Sequence, residues 1–309
     1  MQLSVVVPTL NGRDQLSACL DSLSEHVPDA EVVIVNGPSA DGTTGMVTDR
    51  DDVDVLIEVS ARSINVMRNA GIEVATGDVI ALVDYDLSVE AGWLSAVVDG
   101  MDDVPVVTGP THRVLRGGVT TESAETRTIA GREVTYISSG NVAFEADVLD
   151  ALDGFDEYLE TGGARDVSHR LAGMDVPVAW RPKMCVRCEY GADGGRTQRD
   201  WGWKYRALTY RLVKNYGLRP TVARRTLSHA VSDAAAAAAD VVRGEGRPTT
   251  WFGTGRQVIS GMLTGYSDGL VARARDNTPT HNPHGISKRA DRAVVRYDWR
   301  VADAADTQQ

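Results

Sequence analysis

The stretch Val79-Ile80-Ala81-Leu82-Val83-Asp84-Tyr85-Asp86 decides the architecture, because five apolar residues in a row end abruptly in two carboxylates around a tyrosine. An unbroken apolar run of this length is the pattern of a strand covered on both faces, as in a parallel sheet. Upstream, residues 3–7 read the same way but for Ser4, and 31–35 and 54–59 are the second and third strands. Between the first two runs Asn11-Gly12 marks a turn, and Leu16, Cys19, Leu20 and Leu23 then recur at helical spacing on one face. A helix over 63–75 leads through Thr76-Gly77-Asp78 back to the run at Val79. Strands alternating with helices imply right-handed crossovers and a doubly wound α/β sheet.

Ligands of such sheets bind outside the carboxyl ends of the strands. Three short segments stand there: Pro8-Thr9-Leu10-Asn11, Asn36-Gly37-Pro38-Ser39-Ala40-Asp41-Gly42-Thr43, and Asp84-Tyr85-Asp86. Alternation along an extended segment puts Asp84 and Asp86 on the same side. There they would hold a hard cation, Mg²⁺ or Mn²⁺, through carboxylate oxygens shared with substrate phosphates. Taken alone, the pair describes a solvated acidic loop equally well.

Composition narrows the class. With 309 residues, 42% of them hydrophobic, the chain can bury a full core. A formal charge of −11 argues against broad attraction to nucleic acid, so an anionic ligand needs a local site. Lysine occurs only at 183, 204, 214 and 288, and the other 28 of the 32 basic residues are arginine, which fits a salt-loving archaeon or, more plainly, a GC-rich genome with an ordinary acidic cytosolic protein. Cys19, Cys185 and Cys188 are too few for a disulfide framework, and the Cys185-x-x-Cys188 spacing lacks the second pair of a zinc site. The amino terminus opens on a strand with no basic leader region or cleavage site. No apolar stretch is long enough to span a bilayer, so membrane contact would be peripheral.

Beyond residue 100 the pattern is less regular. Residues 104–108 and 134–137 read as strands around a polar loop at 116–132, and 142–144 as a further strand before a helix, Ala146–Leu152. Gly154-Phe155-Asp156-Glu157 is a turn, and a helix is expected to start at Asp166. A basic, aromatic segment from Arg196 to Arg206 opens a helix that runs to 216, and suits stacking on a sugar, closing over a diphosphate, or resting at a membrane surface. Packing on the catalytic domain explains it as well. After Pro220 the chain reads as helices, including an alanine run at 234–239 that helix propensity alone explains, and the last thirty residues as an irregular tail. These divisions suggest a domain over 1–218, with a nucleotide-binding half at 1–100 and an acceptor half at 101–218, followed by a helical extension over 219–309.

Eight pieces in order give the chain a resemblance to the family 2 inverting glycosyltransferases of the GT-A fold, over roughly residues 1–215. They are Val5-Val6-Val7-Pro8-Thr9 with Asn11; Val33-Ile34-Val35 with the segment 39–43; Arg68-Asn69-Ala70-Gly71; Ala75-Thr76-Gly77-Asp78; Asp84-x-Asp86; Ser139-Gly140-Asn141; Gly154-Phe155-Asp156-Glu157; and Asp166 before Arg170-Leu171. The resemblance implies a mostly parallel sheet with a helical C-terminal extension. It implies that Pro8, Thr9 and Asn11 line a nucleoside pocket, that Arg68 lies over ribose or diphosphate, and that Asp84 and Asp86 place the diphosphate through the metal. Where the family has acids after its second strand, this chain has Asn36-Gly37, and the Asn36 amide would then serve a base edge. The family's catalytic base is the Asp of a Glu-Asp pair opening a helix, which the resemblance carries to Asp166, with Arg165 in place of the acid. For Asp166 the plainer reading is an N-cap carboxylate. Arg165 would either recognise a sugar carboxylate or face solvent, and His169 would sit on the helix surface.

The pattern, with Tyr297-Asp298-Trp299-Arg300, is further similar to haloarchaeal glycosyltransferases of protein N-glycosylation. Those act at the cytoplasmic membrane face on dolichol-phosphate-linked saccharides, and one type transfers a hexuronic acid. The implied activity is metal-dependent transfer of a sugar from a nucleotide-sugar donor, UDP-linked, to a lipid-linked saccharide acceptor, by a peripheral protein. Two rivals share the fold: a nucleotidyltransferase, whose glycine- and arginine-rich first loop is missing here, and a non-catalytic nucleotide-sugar binding module.

Overall fold

The computed structural model describes residues 1–115, 118–188, 200–242, 248–286 and 292–300. Its first half alternates as the sequence predicts: β1 (Leu3–Thr9), α1 (Arg13–His26), β2 (Glu31–Asn36), α2 (Thr43–Thr48), β3 (Val55–Val59), α3 (Ile64–Ile72) and β4 (Val79–Val83). There follow β5 (Leu87–Val89), α4 (Trp93–Met101), β6 (Val106–Thr108), β7 (Thr111–Leu115), β8 (Gly118–Thr121), β9 (Thr126–Ile129), β10 (Arg132–Thr135), β11 (Asn141–Glu145) and α5 (Ala146–Leu152). The chain ends with α6 (Gly163–Gly173), β12 (Ala179–Trp180), β13 (Val186–Cys188), α7 (Trp201–Tyr216), α8 (Pro220–Val242), α9 (Pro248–Arg275) and β14 (Ala293–Asp298).

The main sheet runs β12-β6-β11-β4-β1-β2-β3-β14. β4, β1, β2 and β3 are parallel, whereas β11 is antiparallel to both β4 and β6. Every residue of β1, β2 and β4 is buried, since helices cover both faces. This is the GT-A arrangement, an α/β fold with a mostly parallel central sheet and a helical C-terminal extension. β1 lies between β2 and β4, so the carboxyl ends of β1 and β4 flank the crevice in which open α/β sheets bind ligands.

Two parts differ from the sequence reading. The polar stretch 116–132 contributes strands β8 and β9, part of two small sheets, because alternating Thr, Val and Arg residues suit half-exposed hairpins. The tail is not irregular either: β14 adds antiparallel to the edge of β3, with the Trp299 N–H donating to Asp54 O at 3.0 Å. Arg300 pairs there with Asp298 and with the buried Glu31, closing an edge that would otherwise stand open.

The extension is locked to the domain by glycine. Gly261, Gly265 and Gly269 recur every fourth residue along α9 and face the backbone of Gly202, Arg206 and Tyr210 on α7, where any Cβ would overlap a main-chain carbonyl. Glycine at this spacing lets two helix backbones approach closely.

Candidate active site

A cavity of about 600 Å³ opens beside the carboxyl end of β4, walled by Arg68, Asp84, Asp86, Glu125, Glu160 and Arg165 among others. Asp84 and Asp86 both reach it, as strand alternation requires. Asp84 accepts from Arg68 Nη2 at 2.8 Å through Oδ1. Arg68 is delivered by α3 and almost wholly buried, its guanidinium 5.3 Å from the Phe155 ring and its Nε without a hydrogen-bond partner. Asp84 is backed by Gly140, where a Cβ would collide with the carboxylate. That contact explains the glycine of Ser139-Gly140-Asn141. Burial, and then the neighbouring Asp84, push the Asp86 carboxyl above its ordinary range. Two oxygen-donor groups, one of them short of positive charge, are a donor set suited to a hard divalent cation.

The first two loops lie outside the walls of this cavity. Pro8 is buried within β1, opposite Val35, and Thr9 is buried with its Oγ1 unpartnered. Asn11 has a left-handed backbone (φ 51°), its N–H donates to Ser39 Oγ at 2.8 Å, and its Oδ1 accepts from the Ala40 N–H at 2.8 Å. Asn36 Oδ1 accepts from Ser39 Oγ at 2.7 Å and its Nδ2 donates to Thr44 Oγ1 at 3.1 Å. Each end of that amide makes one bond to the segment after β2, which leaves one lone pair and one N–H that a base edge would need. Gly12 packs directly on the Tyr85 ring, so the first loop and the acidic loop are in contact.

Asp166 is a correction. It lies within the first turn of α6, after an N-cap at Gly162, and its side chain is 0% exposed. Arg170 Nε and Lys214 Nζ each approach its Oδ2 at 2.8 Å, and Asn215 Nδ2 donates to Oδ1 at 2.9 Å. Burial raises its carboxyl, but Lys214 and Arg170 overcome that and hold it at about 2. A carboxylate sealed behind the wall and saturated by cations neither reaches an acceptor hydroxyl nor takes its proton. It is equally not an N-cap.

Its neighbours also differ from expectation. Arg165 lines the cavity but donates through Nη2 to Glu125 at 2.7 Å and lies 3.9 Å from the Tyr136 ring centroid, so it already has a carboxylate. His169 is buried rather than on the surface, with Nδ1 2.8 Å from the Tyr216 hydroxyl, and burial followed by Arg211 lowers it to about 3. Cys188 lines the cavity, whereas Cys185 lies with Glu90 and His112, their ligand atoms within 4.8 Å, and Arg187 pairs with the same Glu90 carboxylate. Of the basic, aromatic segment, Arg196–Arg199 lies outside the described residues, and Trp203 and Arg206 pack with Tyr158.

Sequence reasoning passed over Glu160. Among the acids of the cavity wall, Glu122 faces Arg113 at 3.6 Å, Glu125 faces Arg165, and Asp84 faces Arg68. Glu160 is exposed in the wall and, among the described residues, pairs with no cation. Its signal was its place just before Thr161-Gly162-Gly163, the loop that opens α6.

Residues 4–148 match the model of glycosyl transferase family 2, a span that includes the strand ends, Arg68 and the Asp84-x-Asp86 loop. Among curated relatives the chain is similar to the glycosyltransferase AglE of Haloferax volcanii, at 29% identity over 52% of this chain and 58% of the relative. The glucosyl-dolichyl phosphate glucuronosyltransferase of the same organism is 26% identical over 59% of this chain and 63% of the relative. The chain therefore spans about three fifths of the length of these two. A mannosyltransferase from Pyrobaculum calidifontis, solved with GDP-Man and Mn²⁺, shares the fold at a TM-score of 0.55, with 18% identity, over 90% of this chain and 88% of that one.

Proposed function

We propose that the chain transfers a sugar from a nucleoside-diphosphate donor, UDP-linked, to a dolichol-phosphate-linked saccharide, as a peripheral protein of N-glycosylation at the cytoplasmic face of the membrane. The observation that carries the transfer chemistry is the convergence of Arg68, Asp84 and Asp86 on one cavity at the carboxyl end of β4. Asp84 and Asp86 would hold Mg²⁺ or Mn²⁺, which when bound offsets the charge of the leaving diphosphate. The Mn²⁺ and GDP-Man of the Pyrobaculum structure support a metal and a nucleotide sugar in this fold. The name of one Haloferax relative, a glucosyl-dolichyl phosphate glucuronosyltransferase, supports a lipid-linked acceptor. Pro8, Thr9 and Asn11 are assigned to the nucleoside side, next to the cavity and joined to it through Gly12 and Tyr85.

The role of base passes from Asp166 to Glu160. The acceptor hydroxyl oxygen bonds to the anomeric carbon, the bond to the nucleoside diphosphate breaks with inversion, and the hydroxyl proton goes to the Glu160 carboxylate. A base in this role typically contributes roughly 10²–10⁴-fold. Arg68, released from Asp84 or sharing it, faces the departing phosphates with a buried guanidinium.

A hexuronic acid would have to displace Glu125 from Arg165 before it could use that guanidinium, so Arg165 favours a neutral hexose. The decisive experiment incubates purified protein with UDP- and GDP-linked hexoses and hexuronates and lipid-linked saccharides, with Mn²⁺ or with EDTA. Product that forms only with the metal supports the reading. Absence of product from every pair, by folded protein, rejects it.

A further inference from the structure

We infer that the outer face of the α8–α9 hairpin docks on an anionic lipid membrane. On α8, Leu227 and Val231 are 59% and 60% exposed, one helical turn apart. On α9, Ile259 and Leu263 are 63% and 68% exposed, again four residues apart, with Tyr266 one turn further. Side chains at these spacings share a face. Leu263 lines two adjoining apolar clefts, one floored by Trp201 and Val258 and the other by Val222 and Met262, so Leu227, Ile259, Leu263 and Tyr266 form one surface. A soluble surface seldom carries so continuous a patch without a partner.

Charge selects the partner. Residues 218–275 contain eight arginines and four acids, whereas the remainder of this −11 chain carries fifteen more acids than bases. Two of the four acids turn inward to α7, against one of the eight arginines: Asp233 pairs with Lys204 and accepts from the Tyr205 hydroxyl at 2.7 Å, Asp268 pairs with Arg206 at 2.9 Å, and Arg273 donates to the Lys214 carbonyl at 2.9 Å. Arg256 and Arg219 remain at the rims of the two clefts, beside the exposed apolar side chains. Apolar groups flanked by arginines whose stems can lie along them suit the boundary between headgroups and acyl chains. No helix among the described residues is long and apolar enough to cross a membrane, so contact here is by the face of the hairpin. A second copy of this chain fits less well, because the apolar patch would meet its own arginines.

The test is co-sedimentation of the full chain with vesicles of phosphatidylcholine, with or without phosphatidylglycerol, at low and high salt. It uses no donor or acceptor, so it can fail while the assignment of activity holds, and the reverse. Binding is expected to the anionic vesicles, weaker at high salt, and reduced roughly tenfold or more by Ile259→Asp with Leu263→Asp. Arg219→Glu with Arg256→Glu, which leaves the apolar side chains in place, should reduce it as well. Equal binding to neutral vesicles, unchanged binding of both folded variants, or no binding at all would overturn the proposal. So would a stable dimer in vesicle-free solution that Ile259→Asp with Leu263→Asp converts to monomer.

Discussion

Lys214 Nζ lies 2.8 Å from Asp166 Oδ2, and neither side chain has any exposure to solvent. The same ammonium reaches Asp156 Oδ2 at 2.5 Å, and Tyr210 donates to that oxygen at 2.8 Å. One buried lysine thus ties the Gly154-Phe155-Asp156-Glu157 turn and the first turn of α6 to α7. Removing one member of a buried pair leaves the other charge stranded, which costs about 3–5 kcal/mol. Asp166→Asn should therefore lower stability on that scale in urea unfolding, while the folded fraction binds nucleotide normally. A stable variant that has lost only turnover would restore Asp166 as a base.

The same pair sets an acid limit. The Asp166 carboxyl is held at about 2 in the folded protein against an ordinary 3.8, so its contribution is complete above about pH 4 and fades as the pH falls through 2. Wild type should lose stability across that window more steeply than Asp166→Asn, as followed by circular dichroism at fixed urea.

Asp86 and Asp84 share a cavity without cations enough to neutralise both and a diphosphate. Calorimetric titration with UDP and with GDP should show binding in Mn²⁺ or Mg²⁺ that EDTA abolishes and that Asp86→Ala weakens. Undiminished affinity in EDTA would falsify the metal assignment.

Glu160→Gln should cut turnover by roughly 10²–10⁴-fold with donor affinity unchanged, the signature of a lost base rather than a lost contact. A variant as active as wild type would hand the proton to another acceptor, or show that an anionic phosphate oxygen is the nucleophile and needs none.

Glu125 and Arg165 supply a specificity test. Glu125→Gln removes the charge that occupies the guanidinium and should raise the rate with nucleotide hexuronates relative to hexoses. An unchanged ratio would remove Arg165 from sugar recognition.

Gly265→Leu should force α9 off α7, because its side chain would meet the Arg206 carbonyl. Overpacking typically costs about 1–3 kcal/mol, and more where backbone must move. The loss should appear as a lower melting temperature; a melting curve like that of wild type would mean that the helices are not held by close backbone contact.

The strands at 3–9, 31–36, 55–59 and 79–83 were readable because burial on both faces leaves an apolar run with nothing to confuse it. The ordered short motifs were readable too, but much of what they do is packing. Asn69 holds the 154–157 turn through Phe155, Gly77 lets its backbone approach Ser4, and Arg170 donates to the carbonyls of Leu152 and Gly154. Asp166 misled for that reason: an acid near a helix start looks alike whether it faces a cavity or a buried lysine 48 residues away. Lys214 itself sits among the buried positions of an otherwise ordinary helix, and only tertiary structure shows what it meets. The glycines of α9 were visible as letters, yet a four-residue glycine spacing has meaning only once the facing helix is known.

The glycine contacts between α9 and α7 also fix a length. Because the hairpin is bolted along a helix that reaches the back of the cavity wall through Lys214, its outer face and the Asp84-x-Asp86 loop stand at one separation rather than swinging on a tether. A protein held at a lipid surface by that face would carry the Asp84-x-Asp86 loop at a height set by the packing of α9 on α7.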